Sequence, residues 1–319
     1  MGLGGKCLRI IQGLYANQQR KMRTVAGFTD WIKCERGVKQ GCVLSPLLFA
    51  LYIAGVGKKL TDMEMGPNVG NQVIPGLFFA DDIVIVAQSE AELSIKLAIL
   101  KNEMEIRRLE INFDKTEIMK MGPGTGIEKE WTLETVGDQT VCKIQETNVY
   151  KYLGVRLGRS ETFKQQQNQN ILSLPRKMRL VKAFTRNAPD RLWAGEILWR
   201  KWAKPALLYA AEVIPMKKNW VNKLEVAQNK MGKWLLGTGP WIPTCRIRGE
   251  LGWYSIQGEI YKKKLAFWGR ILRMHSNRLP KKVVQQMIEG EFCSDWYEEV
   301  KEARREIGDI WDIVDKKNM

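Results

Sequence analysis

Residues 76–86 read GLFFADDIVIV. Aromatic and β-branched side chains flank a short polar break, the pattern of two β-strands joined by a tight turn. Burying Leu77, Phe78, Phe79, Ile83, Val84, Ile85 and Val86 is favourable, whereas burying two uncompensated carboxylates beside them is costly. Asp81 and Asp82 therefore call for something that offsets their charge.

Two readings of the pair stand side by side. A hairpin whose strands are held by Phe, Ile and Val presents its turn rigidly, and hard cations such as Mg²⁺ take oxygen ligands while keeping positions for water and phosphate, so the pair fits half of a metal site. Alternatively, the turn is simply exposed, where Asp is common for backbone reasons.

Upstream, GKCLRIIQGLYANQQ reads as a helix, followed by short extended pieces around TVAGF and DWIKCERG. Ser45 with Pro46 marks a helix start, the serine capping free N–H groups and the proline fitting the first turn. LLFALYIAGVGKKL is then a buried helix, and Gly41, just before it in VKQGCV, offers bare backbone that another molecule can approach. Residues 61–75 read as a loop.

Downstream, Ser89 and Glu92 form a capping-box pattern for a helix with Leu93, Leu97, Leu100 and Met104 on one face. LEINFDKTEIMKM reads as a strand, GPGTG at 122–126 as a loop, TLETVGDQTVCKI as a hairpin turning at Gly137 and Asp138, and YKYLGVRLG as another strand. Beyond about residue 160 the pattern becomes helical, with breaks expected at Pro175, Pro189, Pro240, Pro243 and Pro280. The fold class expected is α+β: an antiparallel sheet with helices, followed by an all-helical region.

Charge divides the chain more sharply than hydropathy does. Residues 1–158 carry 20 Lys/Arg against 18 Asp/Glu, residues 159–290 carry 26 against 8, and residues 291–319 carry 5 against 9. Nearly all of the net +16 thus sits in one segment, which also holds eight of the twelve tryptophans. A surface that wraps an anionic polymer is the first reading, with an acidic membrane face or plain solubility as alternatives. At helical spacing, most of those tryptophans are expected to be core.

Other classes recede. The longest apolar stretch, VLSPLLFALYIAGVG at 43–57, is interrupted by Ser45 and Pro46 and is shorter than a membrane span. Six cysteines without a CxxC pair and a single histidine, His275, argue against a Cys/His zinc site and for a reducing, intracellular setting, nucleus or cytoplasm. Cys42 is expected to be a small buried thiol, not a nucleophile. Lys262–Lys264 is too short a run to mark a nuclear signal.

GVKQGCVLSPLLFALYI, LFFADDIVIVAQS, LEINFDKTEIM and YKYLGVRL occur in that order. Together they resemble the successive palm motifs of reverse transcriptases, most closely those of non-long-terminal-repeat (LINE-like) retrotransposons, over roughly residues 10–158. LLYAAE, LEVAQNKMGKWLLG and IRGELGW look like the thumb and connecting region that follows. The resemblance implies partial fingers and palm over 1–158, a basic thumb-like region over 159–290 and an acidic C-terminal helix or tail over 291–319. A group II intron maturase shares the palm but usually differs around the aspartate pair.

What the resemblance implies for the site is specific. Asp81 would ligate catalytic Mg²⁺ with Asp82 as its partner, and Phe79 and Ala80 would shape the turn near the primer end. Gln40 and Gly41 would lie beside the incoming nucleotide and templating base, Lys115 near the leaving pyrophosphate, and Tyr152, Leu153 and Gly154 in the turn that steadies the primer. Bland alternatives remain open: Gln40 as a helix cap, Lys115 as a solvated strand lysine, Tyr152 as core. The partners implied are an RNA template, a DNA primer and deoxynucleoside triphosphates, with no membrane.

The family's complete palm has a further aspartate on a strand upstream of the segment resembled by GLYANQQ. No aspartate precedes Asp30 in this chain. The expectation is therefore an N-terminally truncated RNA-directed DNA polymerase domain, inactive as this fragment, or a nucleic-acid-binding remnant without chemistry.

Overall fold

In a computed structural model of the protein, the described residues are 4–34, 36–69, 71–122, 130–133, 142–160 and 162–307. The chain divides into two units, Met1–Ile111 and Asn112–Met319. The division falls inside the segment that the sequence motifs treat as one.

In the first unit, helix α1 (Gly5–Tyr15) precedes four short strands, β1 (Gln19–Arg20), β2 (Arg23–Thr24), β3 (Gly27–Phe28) and β4 (Ile32–Lys33), in which a β2–β3 hairpin is nested between paired β1 and β4. Helix α2 (Ser45–Thr61) is followed by two hairpins, β5 (Asn68–Val69) with β6 (Gln72–Val73) and β7 (Gly76–Phe79) with β8 (Asp82–Ile85), and then by helix α3 (Glu90–Ile106). The core is small: Ile53, Val56 and Leu60 of α2 meet Leu100 and Met104 of α3, with Phe78, Ile83 and Ile85 packed on top. Only one face of α2 is buried, with Leu47 and Tyr52 exposed, so the helix is not sequestered as its apolar composition suggested.

The Ser89–Glu92 box is present. Ser89 accepts from the Glu92 N–H at 3.2 Å, and the Glu92 carboxylate reaches back to the Gln88 N–H at 2.9 Å. Ser45 does not cap α2: the helix begins at Ser45 itself, which is buried and donates its hydroxyl to the Lys39 carbonyl at 2.6 Å. The same carbonyl also accepts from the Cys42 N–H at 3.3 Å, so it closes the loop that leads into α2.

In the second unit, LEINFDKTEIMKM is not one strand. Asn112 caps a 3₁₀ turn, Phe113–Lys115, by accepting from the Lys115 N–H at 3.2 Å, and only β9 (Glu117–Ile118) is extended. Such local side-chain bonding competes with a sheet ladder. Strand β10 (Glu130–Leu133) pairs antiparallel with β11 (Cys142–Glu146), which pairs parallel with β9. The expected turn at Gly137 and Asp138 and most of the GPGTG loop lie outside the described residues. YKYLGVRLG is a hairpin of β12 (Val149–Tyr152) and β13 (Val155–Gly158), not a single strand. Among the described residues the sheets are five two-stranded ladders and one three-stranded sheet, an α+β fold without one continuous sheet.

Helices α4 (Lys164–Thr185), α5 (Arg191–Leu198), a π-helical turn (Trp199–Ala203), α6 (Lys204–Leu207), α7 (Lys218–Leu236), α8 (Thr244–Leu251), α9 (Ile256–Leu272), α10 (Leu279–Glu289) and α11 (Asp295–Ile307) follow. Pro175 lies inside α4 and does not break it. Trp199, Trp220, Trp253 and Trp268 are buried and Trp234 packs against the core, while Trp193, Trp202 and Trp241 are exposed. Acidic α11 docks on α9 through an apolar seam, with Val300 and Ala303 buried in one cluster with Tyr261, Leu265 and Trp268, and through charge. Glu299 accepts from the Met216 N–H at 2.6 Å and sits 3.1 Å from fully buried Lys264, whose ammonium also donates to the Ile214 carbonyl at 2.9 Å. Burial lowers the Lys264 pKa, and Glu299 opposes that shift.

Candidate functional site

The β7–β8 register pairs Gly76 with Ile85, Leu77 with Val84, Phe78 with Ile83 and Phe79 with Asp82, which leaves Ala80 and Asp81 as a two-residue turn. Ala80 has φ 52°, in the left-handed region that costs a residue with a Cβ roughly 1–2 kcal/mol. Positive φ at the first central residue alone matches a type II′ hairpin, whose twist suits the strands. Strain of this kind persists only where the surroundings fix the backbone.

Phe78 and Ile83 face the core as a cross-strand pair, while Leu77 and Phe79 stay exposed. The apolar run is therefore half-buried, and Asp81 and Asp82 are both exposed. The need for a buried countercharge does not arise, because alternation puts only one side of each strand in the core. Neither carboxylate makes an ion pair or side-chain hydrogen bond with another described residue, so their oxygens are open to a ligand.

The base of this hairpin is fastened by a residue the motif reading passed over. Lys96 is fully buried, and its ammonium donates to the carbonyls of Val86 at 2.6 Å and Met65 at 2.7 Å and pairs with Glu92 at 2.8 Å. The Val86 N–H in turn donates to the Pro75 carbonyl at 3.1 Å. The exit of the aspartate hairpin is thus tied directly to α3, and its entry is tied to that exit. Burial pushes the Glu92 carboxyl up, but Lys96 and the Gln88 N–H outweigh it and hold the group below the usual carboxylate range. A signal existed in the sequence: Lys96 lies between Leu93 and Leu100 on the apolar stripe of α3, where a charge must be paired.

Gln40 and Gly41 occupy the loop before α2. Both are exposed, and Gly41 has φ 80° with nothing within 4 Å of where a Cβ would stand. The loop is held from behind, since the Tyr15 hydroxyl lies 3.1 Å from Ser45 Oγ and Lys39 Nζ sits 5.7 Å from the Tyr15 ring centroid. Gln40 does not cap the helix. Cys42 is half-buried, and its thiol is lowered, chiefly by the Leu44 backbone N–H and further by Ser45. No hydrogen bond among the described residues joins Gln40 or Gly41 to the hairpin, although α2, which follows the loop, packs on β7 and β8.

The remaining candidates belong to the second unit. Lys115 is exposed in the Asn112-capped turn, not on a strand. Leu153 and Gly154 form the two-residue turn of β12–β13 with φ 47° and 82°, the type I′ pattern, and Tyr152 precedes them half-buried. The Tyr209 hydroxyl donates to the Leu153 carbonyl at 2.8 Å, and its ring lies 3.3 Å from where a Gly154 Cβ would stand.

Residues 6–157 match the family profile described as reverse transcriptase (RNA-dependent DNA polymerase). The chain is 32% identical over 150 residues to the retrovirus-related Pol polyprotein from type-1 retrotransposable element R2 of Nasonia vitripennis, covering 46% of this chain and 14% of that protein. Identity is again 32%, over 152 residues, with the retrovirus-related Pol polyprotein from type-2 retrotransposable element R2DM of Drosophila melanogaster, at 46% and 14% coverage. Residues 6–157 form a reverse transcriptase domain of the non-LTR retrotransposon type. The chain spans about one seventh of the length of these two relatives. A weaker likeness, 23% over 257 residues, links 75% of the chain to 26% of a probable RNA-directed DNA polymerase from transposon BS of Drosophila melanogaster.

Within this reverse transcriptase domain, the tip of the β7–β8 hairpin offers two free carboxylates, a donor set that suits a hard divalent cation. Among the described residues, no three His, Cys, Asp or Glu side chains gather into a fuller cage. Among the same residues, no helix is long and apolar enough to cross a membrane.

Proposed function

We propose that the chain is the polymerase part of a LINE-like element, adding deoxynucleotides to a DNA primer on an RNA template. The observation that carries this is the pair Asp81 and Asp82, without a side-chain partner among the described residues, at the tip of a strained two-residue hairpin inside the segment that matches reverse transcriptases. Asp81 and Asp82 would hold Mg²⁺, which when bound supplies activation of the primer hydroxyl and charge for the departing pyrophosphate.

The chain's own residues do the positioning. Ala80 and Phe79, exposed beside the carboxylates, line the primer end. Gly41 lets the nucleotide approach the backbone, with Gln40 next to it. Lys115 supplies positive charge for the pyrophosphate, and the Leu153–Gly154 turn, held by Tyr209, supports the primer strand. The basic helices of 159–290 grip phosphates without sequence preference.

Asp81 and Asp82 would be two members of the ligand set of a two-metal site, and polymerisation by these residues is expected to depend on both. A second reading is a nucleic-acid-binding remnant in which the hairpin does no chemistry. Primer extension with Mg²⁺ by the purified chain, alongside Asp81→Ala, separates the two. Extension lost in Asp81→Ala supports the polymerase. Identical signals from both proteins, with salt-sensitive RNA binding retained, favour the remnant.

A further inference from the structure

Helices α4 and α7 enclose a groove of about 440 Å³ in the second unit. On α4 it is lined by Ile171, Leu174, Pro175 and Met178, and on α7 by Asn222, Lys223, Val226, Ala227 and Lys230. The α4 set falls at i, i+3, i+4 and i+7, and so do the α7 residues apart from Asn222, which gives each helix a stripe two turns long. The wall is apolar on α4; on α7 it is apolar between Asn222 and Lys223 at one end and Lys230 at the other.

Three features give this groove a direction of use. Val226 is 52% exposed in the middle of the α7 stripe, so apolar surface stays wet. Pro175, which carries no backbone N–H, lies inside α4 on the groove wall. Neither Lys223 nor Lys230 has a hydrogen bond or ion pair with another described residue, and seven residues of helix set their Cα atoms about 10 Å apart.

We infer that this groove is a docking site for an acidic amphipathic helix of a protein partner. Two turns of such a helix would lay apolar side chains at i, i+3, i+4 and i+7 against the aliphatic walls, with carboxylates at its two ends meeting Lys223 and Lys230. Nucleic acid fits this place less well: none of the lining residues is aromatic for a base to stack on, and the lining is mostly apolar where phosphates need charge. The site is independent of Asp81 and Asp82, so its fate does not depend on whether the chain polymerises.

The full chain is titrated into a fluorescein-labelled synthetic helical peptide with leucine at i, i+3, i+4 and i+7 flanked by glutamates, with anisotropy as readout. Saturable binding is expected, weakened roughly tenfold by Lys223→Glu with Lys230→Glu and abolished by Val226→Glu. Both substitutions fall on exposed positions, and circular dichroism checks that the variants stay folded. No saturation up to roughly 100 μM peptide, or equal binding of a scrambled peptide of the same composition, overturns the inference. So does displacement of the peptide by an RNA–DNA duplex that binds wild type and Val226→Glu alike but loses affinity in the lysine double variant, because the site would then be read by phosphate.

Discussion

The hydroxyl of Tyr209 donates to the carbonyl of Leu153 at 2.8 Å, so a residue of the helical region closes over the tip of the β12–β13 hairpin. The two are 56 positions apart in sequence, and the bond lies across the end of the segment that matches the reverse transcriptase family. Tyr209→Phe should lower stability by about 1 kcal/mol, the usual net value of one hydrogen bond. Urea denaturation followed by circular dichroism measures it, and an unchanged midpoint would mean the contact contributes nothing.

Gly154→Ala tests the same turn from the other side. At φ 82°, with the Tyr209 ring 3.3 Å from the new Cβ, alanine meets both backbone strain and a tight contact. A loss of roughly 1–2 kcal/mol is expected, larger than for Tyr209→Phe. Gly154→Ala combined with Tyr209→Ala should recover part of it by removing the ring.

Lys96→Met keeps an unbranched side chain, one atom shorter, but strips the charge. It leaves Glu92 without its ammonium and the carbonyls of Met65 and Val86 without a donor. A cost of about 3 kcal/mol follows from removing one partner of a buried pair. Hydrogen exchange should show it as faster opening at Val86 and along α3, with α7 and α9 unaffected.

The Glu92 carboxyl is held below its ordinary value, so its contribution to stability is present in full above the unfolded pKa of about 4.3 and is lost as pH falls through the folded pKa. Acidification below about pH 4 should therefore loosen the base of the aspartate hairpin. In Lys96→Met the cation that lowers the pKa is gone and burial remains, so exchange protection in α3 should fail at a higher pH than in the wild type. Coincident acid transitions in the two proteins would contradict the role given to Lys96.

Ala80→Gly removes the left-handed strain at the tip of β7–β8. The gain is at most about 1 kcal/mol, because glycine also frees the unfolded chain. If that strained turn fixes the carboxylates, Mn²⁺ affinity measured by paramagnetic relaxation should fall even as the melting temperature holds or rises. Unchanged affinity would show that the turn's rigidity is irrelevant to the site.

Much of the local structure was legible in the chain itself. Unbroken apolar runs on either side of a polar break gave the strands flanking Asp81, Ser89 with Glu92 gave the start of α3, and motif order gave the family. These features depend on residues a few positions apart, where backbone geometry and side-chain reach leave few choices. Other outcomes needed contacts across long stretches of sequence. Whether Asp81 and Asp82 were buried depended on which side of β7 met α2, and Ser45 turned from cap to anchor because the loop before α2 brings the Lys39 carbonyl within 2.6 Å of its hydroxyl. The tying of the hairpin base by Lys96, the sealing of Leu153 by Tyr209 and the open groove between α4 and α7 all follow from packing, since a buried charge or carbonyl takes whichever partner the fold brings within hydrogen-bond reach.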